Sequence, residues 1–159
     1  MRIRGLLLLT ALLLLAGIAA TTARAADDPV AGTWKINIAK SKYIPGPAPQ
    51  SGTVVIKVEN NTESYEADTV DASGSTSHAS FSAKFDGTDS PVTGNPDGDT
   101  IAIKRLSPTH LTATLKKGGA VTETVHIVIA ADGKSRTVTF TGKNGKGEKV
   151  HNVIFYDKQ

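Results

Sequence analysis

From Thr33 onward, apolar and polar residues alternate with a period of two, and the pattern restarts after every cluster of turn residues. Trp34, Ile36 and Ile38 alternate in Thr33–Ala39, and Val54, Ile56 and Val58 in Thr53–Glu59. Tyr65, Ala67 and Thr69 follow, then Ala79, Phe81, Ala83 and Phe85. Ile101 and Ile103, Leu111, Ala113 and Leu115, and Val121, Val125, Ile127 and Ile129 continue the series, before Val138 and Phe140. Successive side chains of an extended backbone point to opposite faces, so each run has one face to bury. No stretch carries a 3.6-residue apolar period long enough for a helix. In the final run, Val150–Asp157, the pair Val153 and Phe155 competes with Ile154 and Tyr156 for the inner face.

Composition supports extended backbone. Beyond residue 25 only Leu106, Leu111 and Leu115 remain of the leucines, while Thr, Val and Ile dominate. Branching at Cβ favours strands over helices. Between the runs stand Asn60-Asn61, Asp86-Gly87, Gly118-Gly119, Asp132-Gly133 and Asn144-Gly145. These residues tolerate the positive φ of tight hairpins, so neighbouring runs pair antiparallel. The expected fold is all-β, a single antiparallel meander barrel of about eight to ten strands, because closure removes exposed edges. A two-sheet β-sandwich is the alternative. Pro45, Pro47 and Pro49 interrupt the rhythm and predict a stiff extended rim loop over 45–49.

The first 25 residues read differently. Met1-Arg-Ile-Arg4 is basic, Leu6–Ala20 is uncharged and Leu-rich, and Thr21-Thr-Ala-Arg-Ala25 ends on an Ala-x-Ala pattern. This is the layout of a secretory signal peptide cut after Ala25. The expected organisation is a signal over 1–25, including a signal helix, and one barrel domain over 26–159. The apolar run is shorter than the roughly 20 residues of a spanning helix, and no second one follows. Stable membrane insertion after cleavage is therefore not expected, and the mature chain is expected in the periplasm or outside the cell. Arg2, Arg4 and Arg24 account for the whole excess of 18 Lys+Arg over 15 Asp+Glu. The remainder is neutral, which argues against a nucleic-acid partner. The absence of cysteine excludes disulfides and thiolate chemistry.

Gly32-Thr-Trp-Lys35 opens the first run, and Val153-Ile-Phe-Tyr-Asp-Lys158 closes the last. A Gly-x-Trp followed by a meander of barrel length resembles the calycin superfamily of lipocalins and fatty-acid-binding proteins. The resemblance implies a small-molecule barrel with Trp34 and Gly32 as a structural plug at one end. Where fatty-acid-binding proteins carry an Arg-x-Tyr carboxylate motif, this chain has Ile154-Phe-Tyr156, and the Pro-rich run stands in place of their helix pair. Fatty-acid binding is therefore not implied. Gly32-Thr-Trp-Lys-Ile-Asn37, Lys40-Ser-Lys-Tyr43, Pro45–Pro49 and Tyr156-Asp-Lys-Gln159 also resemble a set of short exported bacterial proteins of unassigned function.

Signals of chemistry are sparse. No nucleophile elbow, zinc-binding His pair or phosphate loop occurs. His78, His110, His126 and His151 fall on polar faces or beside turns, without ligand spacing, so no metal or other cofactor is expected. Asp97 and Asp99 flank Gly98 as turn residues do. The exceptions are polar residues at inward parity: Arg105 after Ile101 and Ile103, Glu123 between Val121 and Val125, and Tyr65 on the third run. An inward charge is costly unless it is paired or reaches water. Arg105 and Glu123 thus either sit at the rim or, with Tyr65, line a cavity and orient a ligand. The leading expectation is an exported, non-catalytic, lipocalin-like barrel binding a small apolar or amphipathic molecule. The alternative is a structural or protein-interaction module of the bacterial envelope with a filled interior. A cavity of about 300 Å³ or more separates the two.

Overall fold

The computed structural model describes residues 28–159; the signal sequence expected over 1–25 lies outside them. Ten strands close into one antiparallel meander barrel in the order β1-β10-β9-β8-β7-β6-β5-β4-β3-β2. The strands are β1 (Gly32–Ile36), β2 (Ser51–Glu59), β3 (Thr62–Val70), β4 (Thr76–Lys84), β5 (Asp86–Thr93), β6 (Thr100–Ser107), β7 (His110–Lys117), β8 (Ala120–Ile129), β9 (Ser135–Lys143) and β10 (Lys149–Lys158). The barrel replaces the sandwich alternative. Among the described residues, no helix is long and apolar enough to cross a membrane.

An even strand number lets every junction of the closed ring be antiparallel. Successive hairpins reverse direction, so β10 returns antiparallel to β1, with Trp34 opposite Lys158 and Ile36 opposite Tyr156. The inward residues form one core that includes Trp34, Val54, Ile56, Ile103, Leu111 and Val138. On β10 the competition resolves in favour of Ile154 and Tyr156, which are buried. β3 and β4 pair along their full length, from Thr62↔Lys84 to Val70↔Thr76. β4 and β5 align only at Ser80↔Thr93 and Phe81↔Val92.

Three local features depart from the sequence pattern. Ile38 does not continue β1, because Ile38–Lys40 forms a 3₁₀ turn. Asn37 caps it: its side chain accepts from Lys40 N–H at 3.2 Å and donates to Asp157 at 2.8 Å. The competing local hydrogen bonds of Asn override the apolar alternation here. Next, the chain runs beside β10 rather than away from it: Lys42 bridges Val153, and His151 N–H donates to Ile44 C=O at 2.7 Å. This stretch extends the short β1 along the seam and leads into the Pro-rich loop. Finally, Val121 does not share the inner face of β8. The register shifts between Leu115 and Lys116, so Leu115 opposes Glu123 while Lys116 opposes Val121. The extra residue turns Val121 outward, 59% exposed, and keeps Glu123 inward.

Candidate functional site

The barrel interior holds a cavity of about 170 Å³. Its walls are apolar, formed by residues such as Ile101, Ile103, Ala113, Val125 and Val138. Tyr65 and Phe81 stack on one wall with centroids 4.5 Å apart and planes 7° from parallel. Their strands bring them directly opposite one another, a favourable cross-strand aromatic pair. The small side chains of Ala79 and Ala113 leave part of the space, and Asn95 lines it near the far rim.

The near end is closed by Val30 and Trp34, 2% and 0% exposed. The Trp34 indole N–H donates to Val30 C=O at 3.0 Å, so the plug satisfies its own buried donor. Asp28 starts this segment, and its carboxylate accepts from Val30 N–H at 2.9 Å. Gly32 has φ +136°, and a Cβ there would run into the Lys158 side chain. That chain crosses to place its ammonium 5.0 Å from the Trp34 ring centroid.

The polar residues expected inside are not gathered in one place. Arg105 lies at the plug end, where it pairs with Asp28 at 2.7 Å and covers the Phe85 ring at 4.0 Å. It does not line the cavity. Glu123 lies at the opposite end, buried, and also off the cavity wall. Through β7, Arg105 is level with Ile127, four residues from Glu123 along β8. That separation is about 13 Å along the strand, too far for a joint contact with one small head group. Tyr65 alone of the three lines the cavity. Burial pushes the Glu123 carboxyl up to about 7, with the nearby Asp97 charge acting in the same direction.

Two other ionisable groups do face the cavity: Glu63 at the start of β3 and Arg136 at the start of β9. Each is 5% exposed. Arg136 lies over the Tyr156 ring at 4.5 Å and the Trp34 ring at 4.9 Å. Its Nε is buried with no hydrogen-bond partner among the described residues. Burial pushes the Glu63 carboxyl up to about 7, against the opposing pull of Arg136 and Arg105. Burial likewise raises the Tyr65 and Tyr156 phenols. The signal for this pair was present in the sequence. Glu63 stands two residues before Tyr65, and Arg136 two before Val138, the same parity that singles out Arg105 and Glu123.

His78 Nδ1 lies 2.8 Å from the Asp68 carboxylate on the outside of the barrel, and both are exposed. Among the described residues, no group of three or more His, Asp or Glu is arranged to hold a metal ion. No protein-family model matches the chain, and no curated protein is significantly similar to it.

Proposed function

We propose that this chain is an exported, non-catalytic, lipocalin-like barrel that holds a small apolar or amphipathic molecule in its interior. One observation carries the reading: the closed barrel surrounds an apolar cavity of about 170 Å³ that has buried polar groups at one end. Binding sites for small molecules combine apolar walls with a few placed polar groups in this way. The volume narrows the occupant. It falls short of the roughly 300 Å³ expected to separate the two readings, so an ordinary drug-sized ligand is excluded and only a small occupant keeps the binding reading. It is close to the roughly 150 Å³ of an engineered apolar cavity that takes benzene. The ligand is accordingly one ring or a short chain, not a long lipid. Export rests on the N-terminal pattern of Met1–Ala25.

The modest volume also favours a second reading, a structural or interaction module of the envelope whose interior is part of its packing. Native mass spectrometry of the protein isolated from its own compartment separates the two. A retained small molecule of about 100–150 Da, released on unfolding and matched by a rise in melting temperature on re-addition, is the expected result. A bare polypeptide mass, with no single-ring compound raising the melting temperature, would remove the binding function.

A further inference from the structure

We propose that the plug end of the cavity recognises a neutral amide-type head, one that donates and accepts hydrogen bonds side by side, held between Glu63 and Arg136. This rests on the ligand-binding reading above and names the chemistry of the same site.

Glu63 and Arg136 come from different sides of the barrel, β3 and β9, and both line the cavity. Both are more than nine-tenths buried. Both thus face one enclosed space, and the Arg136 charge acts on Glu63 by favouring its ionised form. They nevertheless form no ion pair within 4.0 Å; the ion pairs of the described residues lie elsewhere. The charges facing Glu63 from other elements are Arg105 on β6 and Asp28 in the plug, which pair with each other at 2.7 Å through Arg105 Nη1, while Arg105 Nε and Nη2 have no partner among the described residues. Tyr65 lies on the same strand, and Tyr156 faces across from β10. Neither Glu63 nor Arg136 has a side-chain hydrogen bond to any described residue, and the Arg136 Nε is an orphaned buried donor.

The Arg136 guanidinium carbon lies over the Trp34 and Tyr156 rings, 4.9 and 4.5 Å from their centroids, and its buried Nε–H remains without a partner among the described residues. A guanidinium only donates and an ionised carboxylate only accepts. A head that satisfies both must accept from Arg136 and donate to Glu63. A carboxylate brings no donor and sets a second negative charge beside Glu63. An ammonium brings no acceptor and sets a positive charge beside Arg136. A carboxamide or lactam does both without adding charge to a poorly solvated site. The apolar walls and the Tyr65–Phe81 stack then hold a body the size of one aromatic ring.

The test is titration of the purified chain at pH 8 with four compounds of one size, benzamide, benzoate, benzylamine and toluene, followed by calorimetry and NMR shifts. Benzamide is expected to bind at least about tenfold more tightly than the other three, the discrimination that buried hydrogen-bonding partners supply. Glu63→Leu is expected to bring benzamide down to the level of toluene measured in the same variant. Glu63→Gln, which keeps the shape and a hydrogen-bond acceptor, is expected to retain part of the preference. Should neither variant fold, the ranking of the four compounds on the unaltered chain decides alone. Equal binding of toluene and benzamide, or tightest binding of benzoate or benzylamine, would overturn the amide assignment and leave the interior a ligand site. Failure of all four to bind would overturn both.

Discussion

At the plug end of the barrel, long side chains do the closing. Trp34 fills the opening, Arg136 lies across Trp34 and Tyr156, and Arg105 reaches to Asp28. At the opposite rim, glycines let backbone approach backbone. A Cβ on Gly94 would strike the His78 carbonyl, and one on Gly142 would strike the Thr122 carbonyl. Polar turns then tie the rim: Asp97 accepts from Gly145 N–H at 2.6 Å and Asp99 from Gly118 N–H at 2.8 Å. Each end buries a glutamate whose carboxyl is pushed up to about 7, Glu63 beside two arginines and Glu123 beside an aspartate. The plug end holds charge inside a packed structure; the rim holds its charge among short loops.

The sharpest way to break this contrast is to remove the plug. Trp34→Ala is expected to cost about 3–5 kcal/mol of stability, the range for truncating a buried aromatic. Urea unfolding would show it as a lower midpoint at unchanged slope. Next in size is an effect of opposite sign. The folded Glu63 carboxyl titrates near 7, above its value of 4.5 in an open chain, so between those values the folded state holds the extra proton. Stability therefore falls as pH rises from about 4.5 to 7 and is level above. Glu63→Gln is expected to stabilise the barrel by about 3 kcal/mol at pH 8 and to flatten that slope. Unfolding curves at pH 5 and pH 8 measure it directly. Glu123→Gln should act with the same sign, because burial and the Asp97 charge push that carboxyl up as well.

A glycine change probes the rim. Gly94 has φ +74°, so Gly94→Ala combines a backbone conformation unfavourable to L side chains with a backbone collision. A loss of about 1–3 kcal/mol is expected, read from thermal unfolding. Arg105→Met keeps the contact with Phe85 and removes the mostly buried pair with Asp28, whose carboxylate then loses its charged partner. A loss of about 1–3 kcal/mol is expected, read from urea unfolding.

The alternation made the barrel legible, because a period of two assigns a face to every residue of a strand. Ile101, Ile103, Leu111, Ala113 and Leu115 are all buried where parity places them. Parity failed wherever something local changed the count. The bulge opposite Leu115 inverted Val121 but not Glu123, and Asn37 turned Ile38 out of β1. Site residues were harder to read, because parity gives a face but not a depth. Arg105, Tyr65 and Glu123 occupy three different levels of the barrel, and only the register between strands separates them. Glu63 and Arg136 lie at strand starts, where a charge next to a turn looks like ordinary surface, yet both are buried.

The pairing of the first strand with the last carries a consequence for how the chain acquires its shape. Every other strand finds its partner within the next hairpin, but Trp34 must wait for Lys158 on the tenth strand. A polypeptide is made from its N-terminus, so the earliest strand to emerge is the last to be fully enclosed. Until then, one of its edges and the indole ring stay unprotected, and loop-closure entropy slows the final pairing. The same adjacency makes the order of strands incidental to the closed ring. Joining the end of β10 to the start of β1 by a short linker and opening the chain at Gly118-Gly119 would make the β1–β10 pairing local and pass the long-range closure to β7 and β8. Such a permutant would reach the same barrel with a different strand left waiting for its partner.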